Sequence, residues 1–82
     1  MSFDVAMTAR AERDLRGLSD ALQKRAAEVL RRLAAGDVTL KRKKLIDRPE
    51  TRVRLGDLRV FYTQEGTTIV IRRLADRKDA YR

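Results

Sequence analysis

The segment Thr51–Phe61, with the sequence TRVRLGDLRVF, constrains the fold more than any other part of this chain. Polar and apolar residues alternate on both sides of Gly56-Asp57, and a glycine in the first position of a two-residue loop favours a type II′ β-hairpin. Pairing Leu55 with Leu58 sets the register of this hairpin. The segment therefore predicts two antiparallel strands joined by a tight turn.

This register gives the hairpin two different faces. On one face Arg54 lies opposite Arg59, and Arg52 lies opposite Phe61. Guanidinium groups beside an aromatic ring suit phosphates and bases, so this face is the candidate functional surface. The other face is expected to join the hydrophobic core, and it carries Val53, Leu55, Leu58 and Val60.

A short strand and two helices are predicted before the hairpin. Apolar residues alternate over Phe3–Met7, which indicates a strand. Apolar residues then recur at helical spacing in two segments, with Thr8 as the N-cap of the first and Ser19 or Asp20 as the N-cap of the second. Gly36 is the expected stop signal of the second helix.

The basic run Lys41–Lys44 follows the helices, and it is consistent with either a solvated loop or a phosphate-binding patch. A further strand is predicted over Thr67–Leu74, after a turn at Glu65-Gly66. If Gln64 pairs with Thr67, Arg72 lies opposite Arg59 and joins the basic face of the hairpin.

The predicted element order is β-α-α-β-β-β. This order describes one α+β domain over residues 1–82, with two N-terminal helices packed on a small, largely antiparallel sheet. The registers of both predicted hairpins agree on one apolar side and one basic side, and such agreement between independent signals supports the assignment.

The net charge of the chain is +8, and it is unevenly distributed. Residues 1–36 contain seven Lys/Arg against five Asp/Glu, a net +2, whereas residues 37–82 contain thirteen against seven, a net +6. This asymmetry indicates an anionic partner, which is nucleic acid, an acidic protein or a membrane surface. The alternative is a surface that is basic only for solubility.

The chain has no cysteine and no histidine. Disulfides, zinc–thiolate sites, cysteine nucleophiles and histidine general bases are therefore excluded, and neither a metal nor a cofactor is expected. No apolar run is long enough for a signal peptide or a bilayer span, so we expect a cytoplasmic protein that does not associate with membranes.

The C-terminal residues Arg77 and Tyr81 are the remaining candidates for chemistry. The Tyr81 ring packs on the core with its hydroxyl exposed, or else it stacks on a nucleobase or accepts a proton as a phenol whose pKa neighbouring arginines lower. The carboxylates of Asp57, Asp76 and Asp79 are alternatives. Asp57 is expected to be part of the hairpin turn, and the other two are expected to pair with nearby cations.

The run KKLIDRPETRVRLGDLRVFY, the strand IVIRRL and the tail ADRKDAYR together resemble toxins of the RelE/ParE superfamily from prokaryotic type II toxin–antitoxin modules. The resemblance implies a RelE-like fold and a cognate antitoxin whose acidic segment wraps the toxin, giving a hetero-oligomer. RelE-type members cleave mRNA in the ribosomal A site by activating the ribose 2′-hydroxyl without a metal. The resemblance therefore implies an endoribonuclease that inhibits translation and growth.

Matching positions in this chain suggest individual roles. Arg52 and Arg54 match the basic pair that grips the RNA backbone, and Arg59 matches the arginine that stabilises the charged transition state. Tyr81 matches the tyrosine assigned to base stacking and proton abstraction, and Arg77 matches a tail arginine on the leaving-group side. The expected RNA- or phosphate-binding set is completed by Lys43, Lys44 and Arg72.

The match is not complete. Many relatives have Gly-His where this chain has Ala75-Asp76, so the histidine-dependent chemistry of those members is absent here. The branch of the superfamily that inhibits DNA gyrase shares the fold and much of the hairpin pattern. Two alternatives therefore stay open: a ParE-like gyrase inhibitor, and a catalytically weak homologue that mainly binds its antitoxin.

Overall fold

A computed structural model describes residues 2–79 of the chain. Two helices and five strands make up the domain, and the last strand runs into a short 3₁₀ turn. In chain order the elements are β1 (Asp4–Met7), α1 (Ala9–Gly17), α2 (Asp20–Ala34), β2 (Lys41–Lys44), β3 (Thr51–Leu55), β4 (Leu58–Glu65), β5 (Thr68–Asp76) and the 3₁₀ turn (Arg77–Asp79).

The five strands form one sheet in the order β1-β5-β4-β3-β2. β1 pairs with β5 in parallel, and every other neighbouring pair is antiparallel. Both helices contribute buried apolar residues to the core on one side of the sheet. The predicted α+β class, with two N-terminal helices on a largely antiparallel sheet, is confirmed.

The helix boundaries follow from their caps. The Thr8 hydroxyl accepts a hydrogen bond from the Ala11 amide at the start of α1. Ser19 rather than Asp20 caps α2, because its hydroxyl accepts from the Leu22 amide. Gly36, with φ 74°, ends α2, and its amide and that of the next residue bond back to carbonyls of the last turn. Each helix therefore begins at a hydroxyl cap, and the second ends in a Schellman motif.

The basic run Lys41–Lys44 is a strand, β2, and not a loop. All four of its side chains are exposed, so no apolar alternation marks it in the sequence. Backbone pairing with β3 holds it in the sheet, with Lys43 opposite Arg52 and Lys41 opposite Arg54. The predicted order therefore lacks one strand, at the edge of the sheet.

The first hairpin has the predicted register. Leu55 pairs with Leu58, Arg54 with Arg59, and Arg52 with Phe61. Gly56 has φ 60°, and no described residue other than glycine has a positive φ, which is the combination that a type II′ turn requires.

The second hairpin departs from the prediction. Its turn lies at Gly66-Thr67, one residue later than expected, so that Glu65 pairs with Thr68 and Gln64 with Ile69. A register shift then occurs between Phe61 and Tyr62, whose partners are Arg73 and Ile71. Arg72 is the extra residue of this bulge and does not lie opposite Arg59.

The core lies between the helices and one face of the sheet. On that face Tyr62 is buried, and its hydroxyl accepts a hydrogen bond from Arg42 Nη1 at 3.2 Å. Because alternate residues point away from this face, β3, β4 and β5 turn a second set of side chains to the opposite, open face. The buried core residues are Ala11, Leu22, Ala26, Val29, Leu33, Leu40, Val53, Leu58, Val60, Tyr62, Ile69, Ile71 and Leu74.

Candidate nucleic-acid interface

The open face of the sheet is a surface of cations arranged by strand pairing. One row across β2, β3 and β4 contains Lys41, Arg54 and Arg59, each opposite the next. The neighbouring row runs from Lys43 through Arg52 and Phe61 to Arg73 on β5. We call the six cations of these rows the basic face: Lys41, Lys43, Arg52, Arg54, Arg59 and Arg73.

This arrangement brings like charges together. Side chains directly opposite each other on antiparallel strands have Cβ atoms about 5 Å apart, and like-charged pairs there are destabilising. Arg54 faces Arg59 and Lys41 on its two sides, and Lys43 faces Arg52. A depression of about 170 Å³ lies between β2 and β3 among these side chains. A row of facing cations beside a depression suits a polyanion, because bound anions would relieve the repulsion.

Arg59 occupies a special position at the hairpin turn. It is only 6% exposed, and its Nη1 donates to the Gly56 carbonyl at 2.7 Å and to the Leu58 carbonyl at 3.1 Å. The Arg77 amide donates to the Asp57 carbonyl of the same turn at 2.6 Å. The structure therefore brings the side chain of Arg59 and the backbone of Arg77 to one end of the sheet.

Phe61 does not offer its ring to a base. The ring is fully buried, and the Arg73 guanidinium covers it, with Cζ 3.7 Å from the ring centroid. Glu50 Oε1 lies 3.9 Å from Arg73 Nε. Burial lowers the pKa of Arg73, and the nearby Glu50 carboxylate opposes this shift. The outermost group on this part of the sheet is thus the guanidinium of Arg73, whose side chain is 15% exposed, and not the aromatic ring beneath it.

The structure gathers most of the predicted binding residues and separates two of them. Lys43, Arg52 and Arg54 lie on the basic face, whereas Lys44 pairs with Thr51 and is turned to the helix side of the sheet. Arg72 lies farther along β5, where its Nε donates to Thr63 Oγ1 at 3.0 Å. Its Nη2 is 3.3 Å from the Glu65 carboxylate, which offsets its charge. Tyr81 lies outside the described residues.

Three residues of the open face were not identified from the sequence. Lys41 belongs to a strand that carries no apolar alternation, although its spacing from Lys43 was a usable signal. Arg73 was overlooked because the bulge at its neighbour shifts the alternation of β5 by one residue. Glu50 lies two residues before Arg52. Extending the alternation of β3 by one residue towards the N-terminus would therefore have placed Glu50 on the same face as Arg52.

Two further properties concern residues 2–79 only. No three His, Cys, Asp or Glu side chains in this range are grouped closely enough to hold a metal ion. Neither helix of the domain has the length and apolar character that would cross a bilayer.

A family model described as "ParE toxin of type II toxin-antitoxin system, parDE" matches residues 5–81, almost the whole chain. The chain belongs to this family. It is thus a toxin of the RelE/ParE superfamily, from a type II toxin–antitoxin system, as its hairpin and tail indicated. No protein with a curated description matches the sequence.

Solved structures of RelE–RelB complexes contain chains with the same fold. A chain of the RelBE2 toxin–antitoxin complex from Mycobacterium tuberculosis is 26% identical, with a TM-score of 0.83, and the match covers 94% of this chain and 100% of that one. For the RelB–RelE complex from Methanococcus jannaschii the identity is 22%, the TM-score 0.78 and the coverage 93% and 94%. For the RelE–RelB complex from Pyrococcus horikoshii OT3 the identity is 25% and the TM-score 0.72, and the match covers 98% of this chain and 100% of that one.

Proposed function

We propose that this toxin is an mRNA endoribonuclease that acts on mRNA in the ribosomal A site and so inhibits translation and growth. The observation that carries the proposal is the basic face, where strand pairing places Lys41, Arg54 and Arg59 in one row and Lys43 and Arg52 in the next. RNA backbones present regularly spaced phosphates, and rows of cations on a rigid sheet match this pattern better than scattered surface charges do.

The strands hold these cations at fixed spacing, so that an RNA chain would cross the sheet over Lys43, Arg52 and Arg54. Arginines bind phosphate oxygens through two parallel hydrogen bonds and therefore orient the backbone as well as attract it. The Arg73 guanidinium, which is stacked on Phe61 and flanked by Glu50, offers a flat surface for a base. Binding and orientation of the RNA are thus assigned to the middle of the basic face.

Cleavage in this proposal is an internal displacement at phosphorus. The ribose 2′-oxygen forms a bond to the adjacent phosphorus as the bond from phosphorus to the 5′-oxygen breaks. The 2′-hydroxyl proton passes to an acceptor, for which we propose the Tyr81 phenolate, and the 5′-oxygen takes up a proton from water. The products are a 2′,3′-cyclic phosphate and a 5′-hydroxyl, and no metal or cofactor is required.

Arg59 is assigned to the charge that develops on the phosphate oxygens in the transition state. Its guanidinium is held by two carbonyls of its own turn, so its direction is set before substrate arrives. Arg77, whose backbone is tied to the same turn, is assigned to the leaving-group side. Removing one donor of this type costs other enzymes about 10²–10³ in rate, so we expect a loss of that order for Arg59→Gln.

A cognate antitoxin is the proposed partner. The structural neighbours are toxins solved together with RelB, and this supports a comparable hetero-oligomer here. The basic face favours an antitoxin with an acidic segment that wraps the toxin. Because its target is the translating ribosome, the proposed site of action is the cytoplasm.

Cleavage of mRNA in a reconstituted translation reaction tests the proposal. Primer extension should detect cuts in ribosome-bound mRNA with the wild-type chain, no cuts without ribosomes, and strongly reduced cuts with Arg59→Gln. Arg31→Gln is the matched control, because Arg31 is an exposed arginine of α2, away from the sheet. Intact mRNA with folded wild-type protein, or equal cleavage by Arg59→Gln, would contradict the proposal.

The family match provides a specific reason for a second candidate, a ParE-like inhibitor of DNA gyrase. In this case the basic face would bind the acidic surface of a protein or the DNA held by it, and no RNA bond would be broken. A gyrase supercoiling assay separates the two candidates. Inhibited supercoiling together with intact mRNA favours gyrase, and cut mRNA with normal supercoiling favours the ribonuclease.

A further inference from the structure

Residues 46–49 connect β2 to β3, and we call them the β2–β3 tip. The Leu45 amide donates to the Glu50 carbonyl at 3.1 Å, so backbone pairing between the two strands continues up to the tip. Two residues further along the strands, Lys43 lies opposite Arg52 on the basic face. The tip is therefore a short connection that is held at one end of the basic face.

The tip exposes an apolar side chain. Among residues 2–79, the large hydrophobic residues that are exposed are Ile46, at 95%, and Val38, at 88%. Val38 lies between α2 and β2, and it lines a depression of about 230 Å³ together with Phe3 and Leu33. Ile46 lies in the tip itself. Because covering an isoleucine removes apolar surface from water, a ligand bound at the tip gains free energy from this contact.

Cations lie on both sides of this apolar group. Lys44 precedes the tip and Arg48 lies within it, and both side chains are exposed. The tip also contains one acid, Asp47. Burial lowers the pKa of Arg73, and the positive charge of Arg48 lowers it further. The tip is therefore close to the part of the basic face where the Arg73 guanidinium covers Phe61.

The spacing of the basic face indicates what this apolar group can do. Its two rows lie two residues apart along the strands, which is about 7 Å. Stacked bases of one strand are about 3.4 Å apart along the helix axis, so an RNA chain that places one nucleotide on each row has to separate its neighbouring bases. Apolar side chains, isoleucine among them, enter such gaps in nucleic-acid-binding proteins and hold the bases apart.

We propose that the Ile46 side chain inserts between two neighbouring bases of the RNA chain, where this chain reaches the basic face from the side of the tip. The phosphates next to these bases would contact Lys43 and Arg48, and the chain would then run unstacked over Arg54 towards Arg59. An unstacked chain can turn a 2′-oxygen into line with the phosphorus and the 5′-oxygen, as displacement at phosphorus requires. The inference deepens the proposed function and rests on it for RNA as the ligand.

A nucleic acid fits the tip better than a protein surface does. The buried centre of a protein–protein interface is depleted in charged residues. The tip instead offers one apolar side chain between cations, with Lys44 on one side of Ile46 and Arg48 on the other. An RNA chain alternates phosphates with flat bases, so its phosphates can neutralise these cations while its bases cover Ile46.

The matched variants Ile46→Ser and Val38→Ser test the proposal. Both replace an exposed branched apolar side chain by a small polar one, but only Ile46 lies in the tip. The probe is a single-stranded RNA of about eight adenines, in which 2-aminopurine, whose fluorescence is quenched by stacking, replaces each adenine in turn. Saturation with the wild-type chain should raise the fluorescence about threefold at one or more positions. Ile46→Ser should lose most of this rise, whereas Val38→Ser and Ile46→Leu should keep it.

A second measurement uses the wild-type chain and does not depend on the folding of any variant. Ring currents of the bases above and below Ile46 should move the proton resonances of its methyl groups upfield, whereas those of Val38 should not move. Unmoved Ile46 methyl resonances in an RNA-saturated complex would overturn the proposal, as would an equal fluorescence rise with wild type and Ile46→Ser. Loss of gyrase inhibition by Ile46→Ser, with the fluorescence rise unchanged, would also overturn it and assign the tip to a protein.

The outcome is separable from the proposed ribonuclease activity, because both measurements use RNA without ribosomes. If Ile46 separates the bases of bound RNA but translated mRNA stays intact, the proposed function fails and the assignment of Ile46 stands. If the chain cuts translated mRNA but the Ile46 methyl resonances do not move, the assignment of Ile46 fails and the function stands.

Discussion

On β3 and β4, neighbouring residues point to opposite faces of the sheet, and the two faces differ in charge and in the way their side chains affect stability. The helix-covered face holds Val53 and Val60 fully buried and opposite each other. One residue away, the open face holds Arg54 opposite Arg59. The first pair stabilises the fold by burial, and the second reduces stability by repulsion. One face of this small sheet therefore supports the domain, and its burial outweighs the repulsion among the charges on the other face.

The largest expected change in stability comes from a substitution on the helix-covered face. Leu33→Ala removes a buried side chain of α2 and should lower the free energy of unfolding by about 2–5 kcal/mol, since the cavity that remains is only partly filled by relaxation. Urea unfolding followed by circular dichroism measures this loss. Arg54→Ala, on the other face, should not lower this free energy, and an equal loss there would contradict the different roles of the two faces.

The next effect concerns the turn that joins the two strands. Gly56→Ala places a side chain where φ is 60°, and the flexible end of the Arg25 side chain from α2 must move aside for its Cβ. Backbone strain of this kind should lower the free energy of unfolding by about 1–3 kcal/mol, which urea unfolding measures. Because Gly66 has a similar φ of 63° and open space around it, Gly66→Ala is the control for the contact with Arg25. Equal losses in both variants would show that the contact with Arg25 contributes nothing.

A smaller effect of opposite sign is expected on the basic face. Arg54→Gln relieves repulsion with Arg59 and Lys41, and should raise the free energy of unfolding by about 0.2–1 kcal/mol. The same change should weaken binding to single-stranded RNA and reduce the slope of log affinity against log salt by about 1. Fluorescence anisotropy at several salt concentrations measures the slope. Destabilisation together with unchanged RNA binding would mean that the charges on this face are structural.

The smallest effect involves a carboxylate that belongs to neither face. Hydrogen bonds from Thr39 and Arg32 hold the pKa of Asp37 below its usual range. Below a pH of about 4, the usual pKa of aspartate, the unfolded chain therefore binds a proton that the folded chain does not. The stabilisation by Asp37 is complete above that pH and is lost as the pH falls towards the folded pKa. Asp37→Asn should unfold with a weaker dependence on acid, as seen in melting temperatures between about pH 2 and 5. An identical acid dependence would contradict this role.

The two hairpins show how far the sequence determines the sheet. Gly56-Asp57 offers a single good turn, with apolar residues in step on both sides, and its register was predicted correctly. The second turn could be placed at Glu65-Gly66 or one residue later, and nothing in the local sequence separates these choices. The bulge at Arg72 could not be predicted either, because the sequence does not show which of two adjacent arginines lies opposite a residue of β4. Alternation therefore predicts a register only where the turn is unique.

β2 and the basic face show the corresponding limit for the candidate site. β2 is held by backbone hydrogen bonds to β3 and has four exposed basic side chains, so its sequence contains no signal of burial. Without this strand, Lys41 and Lys43 could not be assigned to the same rows as Arg52 and Arg54. The middle of the candidate site was predictable because β3 and β4 also build the hydrophobic core. The edge strand β2 was not predictable, since its side chains bury no apolar surface.

The parallel pairing of β1 with β5 joins the first strand of the chain to the last, with Val5 beside Ile69. During synthesis β1 therefore leaves the ribosome long before its partner exists, whereas α1, α2 and the β3–β4 hairpin involve only neighbouring parts of the chain. The sheet can close only after β5 has been synthesised. A protein built in this way acquires its finished sheet only once its last strand is free to fold back on its first, and not step by step along the chain.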